Sequence, residues 1–260
     1  MARTLDWETF LVTAAGRTTV AWEEGAFARF VANKTGDRAL QIGLWKLNAL
    51  DKSPIGHRIA VADVVQALDA DDLRVRLVAQ SWALPLKDES CDLVVWPHGL
   101  DMCPDKAQAT LAEITRILAP NGLLVLSFFN PMGAWHLRQN IFCASKILPD
   151  NAAGFSMMQA KALIAQTGLT LEGGNFGVYA VNPNIGQTNV RLPSWIDKAG
   201  DRWWPTLSNV IVLSARKTDA GLKLVGKVNF APAKATKTVG AIARKQMQAD
   251  ANSNFSTDNR

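Results

Sequence analysis

The chain has 260 residues, 48% of them hydrophobic, and 28 Lys and Arg against 23 Asp and Glu leave a net charge of +5; this is apolar material for one sizeable core plus an appendage. Its longest strongly apolar run, GLLVLSFF at 122–129, is far short of the roughly 20 residues of a membrane helix, and the opening MARTLDWETF has no apolar signal core, so a soluble, cytoplasmic protein is expected. Three cysteines without CxxC spacing, Cys91, Cys103 and Cys143, predict reduced thiols, and with His57, His98 and His136 scattered along the chain no metal site is expected.

In chain order, short apolar runs alternate with helical patterns. ALQIGL (39–44), RIAVADVV (58–65), RVRLVAQ (74–80), CDLVVW (91–96) and LLVLSFF (123–129) are near-continuous apolar stretches, the signature of a parallel sheet covered on both faces. Between the last two, Pro104 occupies the first turn of a predicted helix. Ala107, Leu111, Ile114 and Leu118 form its apolar stripe, and ILAPNG stops it. A strand, a crossover helix and a strand make a right-handed parallel unit. Several in a row give a doubly wound sheet with its ligand crevice beyond the carboxyl ends of the strands.

Further along, SMMQAKALIAQTGLTLEGG reads as an amphipathic helix, a stop at Gly168 and the start of a strand, and NVIVLSARK (209–217) as a final strand. The turn-rich, tryptophan-bearing segment between them, about 183–207, is long enough to be a lid or binding loop, or else is packed down by its tryptophans. Residues 218–260 hold seven Lys and Arg against three Asp and Glu, so most of the basic charge belongs to a tail poor in large apolar residues. A disordered, solvated tail is expected there, and weak electrostatic contact with nucleic acid is the alternative. The domain proper is then 1–217.

Several stretches in that domain resemble the class I S-adenosylmethionine-dependent methyltransferases, in particular the bacterial group of type 11 methyltransferase domains. They are ALPLKDESCDLVVW, PHGLDM, PDKAQATLAEITRILAPNGLLVLSFFNP, GAWHLRQ and DRWWPTLSNVIVLSARK. The resemblance implies an α/β, Rossmann-like, doubly wound sheet of seven strands, mostly parallel with an antiparallel last strand. It also implies S-adenosylmethionine as cofactor and methyl transfer by in-line attack on an acceptor that the sequence does not identify. Such chemistry depends on alignment and exclusion of water. Its residue signature is therefore weak, and neither GxSxG nor HExxH occurs in the chain.

The family's first strand commonly ends in an acid and a glycine-rich turn. Here Gln41 stands at the acidic position, Gly43 matches the first glycine, and Trp45 and Leu47 replace the later small residues. Two readings stand: a modified cofactor loop built on Gly43 and Leu44, or a core strand packed by Leu44, Trp45 and Leu47. Asp63, twenty residues on, is placed to accept from ribose hydroxyls or simply opens the next turn. The resemblance assigns adenine to Gln80, Ser81 and Trp82 after the third strand, with Gln80 in place of an aspartate, and adds Pro97 to the donor contacts.

His98, after the fourth strand, is a candidate base or acceptor-positioning group facing the cleft, or a histidine bonded to nearby backbone. Asp101 caps the next helix or orients His98, the cap being favoured. Asn130, before Pro131, bonds an acceptor amine or amide, or closes the turn. Trp135 and His136 read as structural or lid residues. A catalytically inactive methyltransferase-like scaffold, supported by Gln41, Trp45 and Gln80, and a nucleic-acid methyltransferase using the tail are the alternatives. A dehydrogenase is disfavoured because GxGxxG is missing.

Overall fold

A computed structural model describes residues 5–63, 74–141, 146–150, 152, 154–179 and 207–218. These lie in one compact unit, Met1–Ala220. The predicted loop at 183–207 and tail at 218–260 lie outside the described residues apart from Leu207 and Thr218, as does Cys143.

Two helices open the chain, α1 (Trp7–Val12) and α2 (Ala14–Val31), which the sequence reading did not assign. There follow β1 (Arg38–Ile42), β2 (His57–Ala62), β3 (Val75–Val78), β4 (Cys91–Trp96), the short α3 (Gly99–Met102), a 3-10 turn (Pro104–Lys106), α4 (Ala107–Ile117) and β5 (Leu118–Phe129). The described part closes with α5 (Ala134–Ile141), α6 (Met157–Gln166), β6 (Leu169–Gly177) and β7 (Val210–Lys217). The seven strands form one sheet in the order β3-β2-β1-β4-β5-β7-β6. The pairs from β3 through β5 are parallel, and β7 runs antiparallel to both its neighbours. This is the predicted fold class. The strand order reverses between β1 and β4, and a doubly wound sheet opens its crevice at that point.

The apolar runs are continuous because both sheet faces are covered. On one face Leu40, Ile42, Val94, Trp96, Leu124 and Leu126 pack with Leu111 and Ile114 of α4 and Ile164 of α6. On the other, Ala39, Leu93, Val95 and Val125 pack with Phe27 and Val31 of α2 and with Leu47 and Leu50 of the loop after β1. Burying a side chain of this size contributes about 1.5–3 kcal/mol each, so the pattern of alternate residues sets which face each helix covers.

One boundary moves. Leu118, expected as the last residue of the α4 stripe, opens β5 with ψ 129 instead. Pro120 accounts for it: the ring disfavours helical geometry at Ala119 and removes a helical N–H donor, so the chain extends before the Asn-Gly pair. Gly168 does end α6, in a left-handed conformation with φ +80. Among the described residues no helix is long and apolar enough to cross a membrane.

Candidate active site

The crevice at the switch point holds two adjoining compartments. The first, about 470 Å³, is lined by Gly43, Asp63, Ala79, Ser81, Trp82, Trp96, Gly99, Met102 and Cys103, among others. The second, about 430 Å³, is lined by Trp7, Glu8 and Leu11 of α1 and by Leu44, Trp45 and Lys46. Gly43, Ala62, Asp63 and Met102 belong to both, so they form the seam.

Gly43 turns the chain over this seam. Its φ is +72, its N–H donates to the Val61 carbonyl at 2.8 Å, and a Cβ placed on it meets only Met102 Sδ, at 3.9 Å. A side chain here would project into open space, and the positive φ favours glycine. Asp63 follows β2, is exposed and lines both compartments. Ser81 lines the first compartment while its hydroxyl shares a 3.0 Å hydrogen bond with Thr110. Trp82 stands beside it with Lys106 Nζ 5.5 Å from its ring centroid. Gln80 is exposed and is not among the lining residues; its carbonyl accepts from Ala83 N at 3.0 Å to close a turn.

Gln41 has a different place from the one expected. It is fully buried, and its amide is the hub of the loop after β1. Its Nε2 donates to the carbonyls of Leu44 and Leu47, while its Oε1 accepts from Ala49 N at 3.2 Å and from Arg74 Nη1 at 2.8 Å. Arg74 also donates to the Trp45 carbonyl at 2.9 Å. The physical reason for glutamine is plain: a carboxylate cannot donate to two inward-facing carbonyls. Trp45, 2% exposed, packs with Ala60 and Ala62 and lines the second compartment, and Leu47 turns into the core. Leu44 packs in that core and lines the same compartment.

His98 does not open onto the cleft. It is fully buried, with φ +49, and its imidazole stands between two carboxylates: Nδ1 is 2.8 Å from Asp101 Oδ2 and Nε2 is 3.1 Å from Glu23 Oε1. Burial works against the imidazolium, but Glu23 and Asp101 outweigh it and push His98 up to about 10. Asp101 therefore orients His98 and does not cap the next helix. Its Oδ2 also accepts from Phe129 N at 2.8 Å, and Cys103 holds the cap position without a side-chain bond. Among the described residues no group of three or more His, Cys, Asp and Glu is arranged to hold a metal ion; in this trio the ring separates the carboxylates.

Asn130 ties the end of β5 to the start of β7. Its Nδ2 donates to the Ser208 carbonyl at 2.9 Å, its N–H to the Asn209 carbonyl at 2.9 Å, and its Oδ1 accepts from Met132 N at 3.1 Å. Pro97 is buried; neither it, His98 nor Asn130 is among the residues lining the two compartments. Trp135 is fully buried and donates its backbone N–H to Asn209 Oδ1 at 2.8 Å, and burial pushes the His136 imidazole down despite the Asp101 charge. The structure thus brings Gly43, Leu44, Asp63, Ser81 and Trp82 to one crevice. Gln41, Gln80, Pro97, His98 and Asn130 stand around it. Sequence reasoning missed Met102, Trp7 and Glu23. The first two lie on helices it left unassigned or unread, and a glutamate inside a helix carries no signal that it is buried.

Residues 38–126 match the family model described as a methyltransferase domain, of type 11. A curated relative, the uncharacterized protein YafS of Escherichia coli K12, is 33% identical over 105 residues, which is 40% of this chain and 40% of the relative. The chain thus matches well under half of that relative's length. Among solved structures, a chain from the complex between the Haloferax volcanii Trm112 methyltransferase activator and the putative methyltransferase superposes with a TM-score of 0.54. It is 18% identical, covering 79% of this chain and 94% of that one. A Thermotoga maritima S-adenosylmethionine-dependent methyltransferase, described as a possible histamine N-methyltransferase, gives 0.55 at 18% identity over 82% and 94%. At these identities the structures speak to the fold.

Proposed function

We propose that this chain, which carries a type 11 methyltransferase domain on a class I methyltransferase fold, is an S-adenosylmethionine-dependent methyltransferase whose donor occupies the compartment along Gly43, Asp63, Ser81 and Trp82. The observation that carries this is the seam: a left-handed glycine whose missing Cβ leaves open space, beside a carboxylate at the next strand end. The residues present fit the group. Asp63 supplies acceptors for ribose hydroxyls, Ala79, Trp82 and Trp96 supply apolar walls for adenine, and the turn at Gly43 lets backbone approach closely. When bound, S-adenosylmethionine supplies an electrophilic methyl group on a sulfonium.

The chain's own contribution is to align donor and acceptor and to keep water out, and the second compartment, walled by Trp7, Leu11, Leu44 and Trp45, is where an acceptor meets the seam. Gly43 and Asp63 bind and orient. His98, paired with two carboxylates, keeps its proton at neutral pH, so its part is to hold the strand ends in place rather than to take a proton. The reading places the enzyme in a bacterial cytoplasm, in keeping with the free thiols of Cys91 and Cys103.

Calorimetry with S-adenosylhomocysteine tests the reading. Wild-type protein binds it, Asp63→Ala loses ribose bonds of about 1–3 kcal/mol, roughly five- to 150-fold in affinity, and Gly43→Val abolishes binding. A folded Gly43→Val protein that binds as well as wild type sinks the assignment. The second reading, an inactive binding protein, rests on the closed loop at Gln41 and Trp45 and predicts no heat with either the donor or its product. A nucleic-acid acceptor, supported by the basic stretch 218–260, predicts salt-dependent RNA binding that vanishes on its removal.

A further inference from the structure

The first compartment is walled largely by apolar side chains, and one buried group in that wall carries an unshared hydrogen-bond donor. Trp96 ends β4, is 2% exposed and lines the compartment. Among the described residues its indole N–H makes no hydrogen bond. The indole nitrogens of Trp7, Trp45 and Trp135 are unbonded too, but they are sealed inside the protein. That of Trp96 is not sealed, and the open space beside its ring is the compartment.

Gly99 fixes where this edge lies. A Cβ placed on Gly99 falls 1.8 Å from Trp96 Nε1, 1.9 Å from Cε2 and 2.4 Å from Cδ1. The pyrrole edge of the indole therefore rests on the bare backbone at the start of α3, and Gly99 lines the compartment with it. A glycine leaves room for the ring there and a residue with a side chain does not.

The other polar side chains of the wall are otherwise committed. Asp63 only accepts, Ser81 shares its hydroxyl with Thr110, and Lys106 lies over the ring of the half-buried Trp82. An indole N–H only donates. A ligand that fills the compartment strips water from this N–H, and an unmet buried donor is costly, so the ligand has to supply an acceptor. The charged lining residue is Asp63, which repels the carboxylate end of the donor molecule. The adenine end fits better: its flat faces suit Ala79, Trp82 and Met102, and its ring nitrogens hold lone pairs in the plane of the ring.

We propose that Trp96 selects the purine: its indole N–H, seated on Gly99, donates to a ring nitrogen of the adenine of S-adenosylmethionine. The proposal rests on the methyltransferase reading and adds to it the residue that tells adenine from a ring of the same shape lacking that nitrogen. A site built to hydrogen-bond a ligand atom discriminates against an analogue without it.

The test is calorimetry on the full chain with S-adenosylhomocysteine and its 1-deaza, 3-deaza and 7-deaza analogues, each with one ring nitrogen replaced by C–H. Wild type should disfavour one analogue against the parent, and in Trp96→Phe that preference should shrink by about three- to tenfold. A packing role for Trp96 weakens all four ligands alike, so unchanged ratios between them overturn the proposal. In 15N-tryptophan-labelled protein the Trp96 indole N–H resonance should move downfield with the saturating parent and less with the analogue singled out. A resonance that stays put, or moves equally with all four, contradicts the bond. Gly99→Ala, whose methyl group displaces the ring, should bind S-adenosylhomocysteine at least about tenfold more weakly; undiminished binding overturns the seat. Should either variant not fold, the other and the wild-type resonances decide. Wild-type binding of S-adenosylhomocysteine with unchanged ratios sinks the role of Trp96 and leaves the methyltransferase reading standing, whereas no binding at all sinks both.

Discussion

Gln41 shows how one buried amide can organise a whole loop. Its amide donates to two loop carbonyls and accepts from Ala49 N and Arg74, so the loop after β1 is closed from inside. Gln41→Glu sets a carboxylate against the carbonyls of Leu44 and Leu47. Arg74 offsets part of the repulsion, and a net loss of about 1–3 kcal/mol is expected in chemical denaturation; a variant as stable as wild type means the amide donors are dispensable. His98 makes the matching case for charge. Its ordinary value is near 6.5, and in the folded state it is held up at about 10 by Glu23 and Asp101. Below about 6.5 the imidazole is protonated folded and unfolded, and the ion pairs contribute in full; as pH rises through about 10 the folded protein gives up the proton and that contribution is lost. Wild-type melting temperature should therefore fall between about pH 6.5 and 10 and level off above, with a smaller fall in His98→Gln, which starts less stable by about 3–5 kcal/mol. Parallel melting curves for the two proteins across that range contradict the ion pair.

At the scale of elements, the last helix shows local chemistry acting through tertiary packing. Ser156 caps α6, its hydroxyl accepting from Gln159 N at 3.2 Å while Gln159 Oε1 accepts from Ser156 N at 2.9 Å, a complete capping box. The helix buries only Ala160 and Ile164 against the core formed with α4, so the cap is a large share of what defines its start. Ser156→Ala is expected to cost about 0.5–2 kcal/mol, read as a drop of about 2–4 °C in melting temperature for each kcal/mol in a domain this size. Donor binding should be unchanged, because α6 contributes nothing to the lining of either compartment. A loss of S-adenosylhomocysteine affinity in this variant contradicts that separation.

Across the whole molecule, the mixed sheet ends at Lys217, and the compact unit ends at Ala220. Within it the last antiparallel strand is fastened at its end: Lys217 Nζ donates to the Leu118 carbonyl at 2.7 Å and Arg216 pairs with Glu172. Limited proteolysis is expected to trim the chain to a stable core ending near residues 217–220 that still binds S-adenosylhomocysteine. Early cleavage near Gly122, inside β5, contradicts a single cooperative domain.

The sequence by itself determined the sheet and much of its cover. Near-continuous apolar runs have one stable home, a parallel sheet packed on both faces, and CDLVVW at 91–96 is β4 residue for residue. Gly43 was legible only through the family resemblance, which matched it to the first glycine of a cofactor loop; the structure then gave it the positive φ that glycine allows. Tertiary structure decided the rest. Whether Gln41 faces a ligand or a loop depends on Leu44, Leu47 and Arg74 arriving around it, and the last of these is 33 residues away. Whether His98 faces a cleft or an ion pair depends on Glu23, which a helix 75 residues earlier carries across the end of the sheet. Hydrophobic periodicity reports which face of an element is buried; it does not report which polar side chain from a distant element will be buried against it. Packing places those groups, and the chemistry of this crevice is made of them.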